Sequence, residues 1–255
     1  MIKNTWCIYF SPSGTTKKTV NQIAAGIQKE WRECDLLAQR EPMPELGPDD
    51  LLIAGAPVFA GRIPSPCAER LRGVRGDKTP AIIAAVYGNR DYDDALLELQ
   101  ELLEGQGFRV IAAAAAIAQH SIFPDVAAGR PDEEDLRQLQ NFAGKCAKLL
   151  ESLPQPGRPS VKGHAPYRAP APVPLKPSAD RSCTRCGACA KICPTGAIDP
   201  RYPQETDKER CISCTACIAA CPQHARAFRG PAYKIAKAGF VKKFSARKEP
   251  EFFLL

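Results

Sequence analysis

The chain has 255 residues, 44% of them apolar, with a formal net charge of +7. That is enough apolar material for one full-sized domain and a smaller one without disulfide support. No stretch approaches the roughly 18 uncharged apolar residues of a membrane span, and the first residues lack the pattern of a signal peptide, so the expectation is a cytoplasmic protein with no membrane association. Twelve cysteines in a reducing compartment then argue for metal or redox chemistry. Charge is uneven: residues 1–150 hold 17 Lys+Arg against 20 Asp+Glu, or −3, and residues 151–255 hold 18 against 8, or +10. The basic half lacks the interleaved aromatics of a nucleic-acid platform, so nucleic acid is not an expected partner.

In chain order, strand-like apolar runs at Thr5 to Phe10, Cys34 to Ala38, Leu51 to Ala56, Ala81 to Val86 and Arg109 to Ala118 alternate with helical patterns. That alternation predicts a parallel sheet covered on both faces. The clearest helices are Thr16 to Glu30, with Val20, Ile23, Ala24 and Ile27 on one face, and Asp94 to Leu103, stopped by Gly105. A last helix, from about Asp132 to Leu150, carries acid at its start and lysines near its end, as the helix dipole prefers. Eight prolines between Pro154 and Pro177 read as a semi-rigid linker able to span about 70 Å. The expected division is 1–152, linker 153–178, second domain 179–230 and tail 231–255. The tail ends in Phe252, Phe253, Leu254 and Leu255, which should pack against something.

Two runs of C-x-x-C-x-x-C-x-x-x-C-P, Cys183 to Pro194 and Cys211 to Pro222, repeat with a period of 28 residues. Three cysteines at this spacing wrap closely enough to bind three corners of an iron-sulfur cubane, leaving the fourth corner to a distant cysteine. Zinc also accepts four thiolates, but zinc ribbons pair two C-x-x-C elements and need no third equally spaced cysteine followed by C-P. Over about residues 181 to 226 the chain resembles bacterial two-cluster ferredoxins. The resemblance implies two 4Fe-4S clusters, one on Cys183, Cys186, Cys189 and Cys221, the other on Cys211, Cys214, Cys217 and Cys193. Cys7, Cys34, Cys67 and Cys146 remain as core or neutral surface positions.

After the first strand, Ser11-Pro12-Ser13-Gly14-Thr15-Thr16-Lys17 offers hydroxyls, backbone N–H groups and a helix N-terminus to a phosphate. It is neither a Walker A loop nor a G-x-G-x-x-G fingerprint. It resembles the phosphate loop of flavodoxins, which bind FMN. That resemblance covers about residues 3 to 150 and implies a doubly wound five-stranded sheet of order 2-1-3-4-5, with ligands outside the strand ends at the switch point. The candidate FMN contacts are Ser11, Ser13, Gly14, Thr15 and Thr16, then Pro57, Val58, Phe59, Ala60 and Gly61 after the third strand, and Tyr87, Gly88, Asn89 and Tyr92 after the fourth. Tyr87 or Tyr92 is a candidate to stack on the flavin, His120 to approach its edge, and Arg62 and Arg90 to balance its charge or form ion pairs. The whole chain looks like the flavodoxin-ferredoxin fusions of anaerobic bacteria and archaea, an α/β domain plus a small α+β ferredoxin domain.

Flavin takes two electrons in single steps and each cluster passes one, so the expected function is a relay between one- and two-electron flow, with redox proteins as partners. The rival is an FMN-dependent reductase of a small acceptor supplied by the clusters, and a redox-sensing module is a third reading. No NAD(P)H fingerprint and no Ser-His-Asp constellation are present in the motifs. With about −2 for each cofactor, the halves become about −5 and +6, which suggests electrostatic docking within a chain or by exchange of ferredoxin domains in a homodimer.

Overall fold

The apolar runs become strands of one sheet in the computed structural model, which describes residues 2–38, 43–152, 157–171 and 173–255. The first part runs β1 (Asn4–Tyr9), α1 (Thr15–Ala25), β2 (Arg32–Asp35), β3 (Glu45–Leu46), β4 (Asp50–Pro57), α2 (Ser65–Leu71), β5 (Arg75–Gly76), β6 (Thr79–Tyr87), α3 (Ala95–Glu104), β7 (Phe108–Ile117) and α4 (Glu133–Glu151). The rest runs β8 (Ser178–Ala179), α5 (Ala188–Ile192), α6 (Ala216–Ala219), β9 (Arg226–Ala227), α7 (Pro231–Phe244) and β10 (Glu251–Leu254). β2, β1, β4, β6 and β7 lie side by side, all parallel. The sheet is nonetheless six-stranded and mixed, because β10 adds to β7 in the antiparallel sense.

Successive side chains of a strand face opposite sides, and the buried residues sort accordingly. Ile8, Leu52, Ile83 and Ala113 enter one core with Leu71 of α2 and Leu99 of α3. Cys7, Ile53, Ile82 and Ala112 enter the other with Ile23 of α1 and Phe142 of α4. Gly55 sets the approach of α1: a Cβ there would stand 2.4 Å from Val20 Cγ2 and 2.9 Å from Thr16 Cγ2. The helix expected to reach Glu30 stops at Ala25, where α1 crosses α4 so closely that a Cβ on Gly26 would lie 2.5 Å from Ala143 Cβ. Cys7, Cys34, Cys67 and Cys146 are all buried, and burial pushes the Cys7 and Cys146 thiols up to about 12.

The linker is a strap fastened to α3. Gln100 donates to Pro159 O at 3.2 Å, the backbone N–H groups of His164 and Arg168 donate to Asp94 at 3.0 and 2.8 Å, and Lys162 pairs with Asp91 at 2.9 Å. Pro154, Pro156 and Pro172, and the junction at residue 153, lie outside the described residues. The tail is fastened too, through elements the sequence reading did not resolve. Asn89 Nδ2 donates to Phe244 O and Ala246 O at 2.6 and 2.9 Å, and Phe252 stacks on Phe142 with centroids 4.8 Å apart. β10 thereby covers an edge that would otherwise present unpaired backbone groups.

The small domain repeats its backbone along with its cysteines. Arg185 and Ser213, Gly187 and Thr215, and Gly196 and His224 all have positive φ, each pair one 28-residue period apart. α5 and α6 start at the second of these pairs, and β8 pairs with β9.

Removing the Phe252 ring leaves the α4 side of the sheet edge uncovered. Phe252→Ala should lower unfolding free energy by about 2 kcal/mol, below the usual cost for a fully buried Phe because the ring is only partly buried; urea titration of the full chain reads it.

Candidate cofactor centres

The eight motif cysteines separate into two cavities, each drawing on both runs. Cys183, Cys186, Cys189 and Cys221 line one, and Cys193, Cys211, Cys214 and Cys217 line the other. Among the described residues no three His, Cys, Asp or Glu side chains converge as ligands of a single ion would. Four thiols around one shared space, three of them from a C-x-x-C-x-x-C run, suit a multi-iron group. Burial pushes the Cys214 thiol up to about 12 and raises Cys189 and Cys217 as well. At Cys221 burial acts the same way, but the backbone N–H groups of Ala225, Gln223 and Arg226 outweigh it and lower the thiol. Metal binding removes such a proton outright, so a buried neutral thiol becomes a buried thiolate that needs donors and cations around it. Some are in place: Ala197 N–H points at Cys193 Sγ at 3.2 Å and Ser213 N–H at Cys211 Sγ at 3.4 Å.

Arg226 is the functional residue the sequence reading missed. It is 2% exposed, pairs with no carboxylate among the described residues, approaches Cys189 Sγ at 3.9 Å, and its charge offsets part of the rise that burial imposes on the Cys217 thiol. Nη1 donates to Pro203 O at 2.6 Å and Nη2 to Pro177 O at 3.3 Å, but Nε has no partner. A buried, unpaired guanidinium with an orphaned N–H between two rings of cysteines fits anionic groups in those rings. Its signal was in the repeat: Arg226 stands one period after Ile198, so the two units differ there by a full charge.

At the other centre the three switch-point loops do meet. Pro12, Ser13 and Thr15 share a narrow cleft with Pro57, Val58, Phe59, Tyr87, Gly88, His120 and Cys214. Gly14 supplies the left-handed turn (φ 84°) ahead of α1. Ser11 instead accepts the Lys17 N–H at 3.0 Å, and Thr16 is buried with its methyl group toward β4. Those two hold the loop. Beyond the cleft a chamber of about 710 Å³ opens between Val58–Gly61, Gly88, His120–Phe123 and α7.

Several side chains are engaged elsewhere. Tyr92 is core, 1% exposed, its hydroxyl donating to Glu251 at 2.8 Å, so it does not stack on a ligand in the cleft; Tyr87 packs beside it at 5.3 Å and reaches the cleft wall. The side-chain amide of Asn89 clamps the tail. Arg62 is held by Glu98 at 2.7 and 2.8 Å and lies over Tyr167, whereas Arg90 pairs with Asp93 and lines the chamber. His120 lines both spaces; a Cβ on Gly88 would come within 2.7 Å of its ring. Burial, then the Arg90 charge, lower its pKa to about 4.

The second cysteine run closes the gap between the centres. Cys214 lines both its own ring and the narrow cleft, and Cys214 and Ala216 belong to the core on the α2–α3 side, with Ile192 and Ile212 packed against it. No ion pair joins residues 2–152 to residues 179–230 among the described residues; the contact is mainly apolar, with a hydrogen bond from Arg70 Nη2 to Pro194 O at 3.5 Å. The opposite charges of the halves act through strap and tail instead: Arg158–Glu104 at 2.8 Å, Arg168–Asp93 at 3.0 Å, Lys237–Asp125 at 2.8 Å and Arg247–Asp132 at 2.6 Å.

Comparison with known proteins finds the family model of the 4Fe-4S dicluster domain over residues 173–226. No curated protein matches. Among solved structures the chain is similar to a flavodoxin from the domain Archaea, at 13% identity and TM-score 0.41 over 59% of this chain and 100% of that one. It is also similar to the rubredoxin oxygen:oxidoreductase of the anaerobe Desulfovibrio gigas, at 18% and 0.41 over 59% and 37%. A Fusobacterium nucleatum flavodoxin bound to flavin mononucleotide matches at 12% and 0.39 over 59% and 98%. The chain thus joins a match to the 4Fe-4S dicluster domain at residues 173–226 to a doubly wound sheet whose five parallel strands lie in the order β2-β1-β4-β6-β7.

Proposed function

We propose that the chain is an electron-transfer protein with three redox centres in a row, each held by its own residues. Cys183, Cys186, Cys189 and Cys221 would hold an outer 4Fe-4S cluster, Cys193, Cys211, Cys214 and Cys217 an inner one, and the loops at Ser13–Thr15, Pro57–Gly61 and Tyr87–Gly88 an FMN. When bound, such clusters exchange single electrons and FMN takes up two, so the set couples one-electron to two-electron flow. The observation that carries the reading is the position of Cys214, in the wall of both the inner ring and the flavin cleft. The first ring shares no lining residue with the sheet domain, and its Cys186 is exposed. Outside partners, which we infer to be redox proteins, therefore meet the outer ring. The contact between inner ring and cleft is made within one chain, so exchange of ferredoxin domains between two copies is not required.

The residues around the rings set the working range. Arg226 lies against both and supplies a fixed positive charge in a region shielded from solvent, where a cation favours the more negative, reduced state. The strap and α7 cover the chamber loops, which keeps large partners away from the cleft and directs them to the outer ring.

Anaerobic purification should give two four-iron clusters and one FMN per chain. Fewer than about seven irons, or no flavin, contradicts the reading. Arg226→Met should lower the cluster potentials by about 60 mV, a tenfold change in a one-electron equilibrium, and Arg226→Lys should shift them less; redox titration of the purified variants checks both.

A further inference from the structure

The outer ring reaches solvent through the first cysteine run, where Cys186 is exposed. Arg181, Arg185 and Lys191 flank that cysteine in sequence. All three are exposed, and none makes an ion pair or a side-chain hydrogen bond among the described residues. The acids within residues 179–203 are Asp180 and Asp199, already held by Arg229 and Arg201 at 2.6 and 2.7 Å. Glu205, further along, is exposed without an ion pair and offsets one of the three free cations, so the rim keeps a positive excess. A cluster inside the ring brings about −2 of its own, which buried Arg226 and the backbone N–H groups at Cys221 offset from within.

The internal repeat separates this rim from the needs of the fold. One 28-residue period after Arg181, Arg185 and Lys191 stand Glu209, Ser213 and Ala219, none of them basic. The two units share their positive-φ positions, so the backbone alone does not call for cations there; they are confined to the unit whose ring faces outward. An aromatic side chain adjoins the same ring. Tyr202 is 61% exposed, the Arg201 guanidinium lies 6.0 Å from its centroid, and the next residue, Pro203, lines the ring and accepts Arg226 Nη1 at 2.6 Å. Tyrosine and arginine together are the residues that most often anchor protein interfaces.

Resting on the outer cluster proposed above, we infer that the rim formed by Arg181, Arg185, Lys191 and Tyr202 is the docking face for an acidic one-electron redox protein. Opposite charge steers the partner to the exposed edge at Cys186, and Tyr202 supplies apolar contact once it has docked. The transfer moves one electron between the outer cluster and the partner's centre, oxidising one and reducing the other, with no proton or bond exchanged. A basic partner meets like charge at the same face and is disfavoured.

The test uses the full chain with its clusters and FMN and two haem proteins as probes, ferric cytochrome b5, which is acidic, and ferric cytochrome c, which is basic. Calorimetry reads binding between oxidised partners, where no electron moves; stopped flow reads transfer from the dithionite-reduced chain, freed of excess reductant, to the haem. Affinity and second-order rate with cytochrome b5 should both fall at least tenfold between about 20 and about 300 mM salt, as the rim charges are screened, while those with cytochrome c stay low or rise. Arg181→Glu, Arg185→Glu and Lys191→Glu together should cost cytochrome b5 at least tenfold in affinity at low salt, and Tyr202→Ala several-fold. Lys145→Glu with Lys148→Glu, which reverses exposed lysines of α4 on the other side of the sheet, should leave that affinity unchanged. Cytochrome b5 binding indifferent to salt, an equal loss on reversing Lys145 and Lys148, or a triple variant of unchanged iron content that binds as the wild type does overturns the proposal. Fewer than about seven irons in the wild type would instead overturn the cluster reading beneath it.

Discussion

The apolar seam at the start of α6 is the contact on which the rest of the molecule depends. Ile212, Cys214 and Ala216 pack into the same core as Leu71 and Leu99, so the second cysteine run is built into the sheet domain rather than tethered beside it. Apolar contact of this kind is non-directional and insensitive to salt, and it excludes water from the space between the two centres. Electrostatics has a different task. The acidic surface of α3 and its flanking loops grips the strap, and Asp125 and Asp132 grip the tail, so charge sets where the covering segments lie while apolar packing sets the distance between the centres.

Part of the basic excess of residues 151–255 accordingly appears as partners for carboxylates of the first half, through Arg158, Lys162, Arg168, Lys237 and Arg247. Surface pairs of this sort contribute little individually, but they are distributed along two segments that also make backbone hydrogen bonds, and together they fasten the roof of the chamber. Arg226 stands apart. It is buried without a carboxylate, and only anionic groups in the adjoining rings give its charge a counterpart.

Much of this was legible in residue pattern. Alternation of apolar runs with helical periods located the parallel strands within a few residues, because the central strands are buried on both faces and the helices that cover them on one. The resemblance to two-cluster ferredoxins implied two sets of four cysteines, each taking its fourth member from the other run, and the two cavities are lined by those same sets. What escaped was nonlocal. β10 is a strand only because the edge of β7 is there to receive it, and α7 has so weak an apolar face that its place is set by the chamber and by Asn89. Tyr92 and Asn89 looked like ligand-facing groups after a strand end, yet Glu251 and the carbonyls of Phe244 and Ala246, more than 150 residues away, engage them. Proline content predicted an extended linker, but the acidic partners that pin it, Asp91, Asp93 and Asp94 ahead of α3 and Glu101 and Glu104 within it, are more than 50 positions away in sequence.

The central claim is that the ring containing Cys214 stands between the outer ring and the flavin cleft. Anomalous X-ray scattering at the iron edge, on crystals of the anaerobically purified full chain with FMN bound, tests it most directly. The account predicts two compact multi-iron peaks, one within each ring of cysteines, with the peak among Cys193, Cys211, Cys214 and Cys217 nearer to the flavin. A single ion in either ring, or the ring of Cys183, Cys186, Cys189 and Cys221 lying nearer to the flavin, would contradict it.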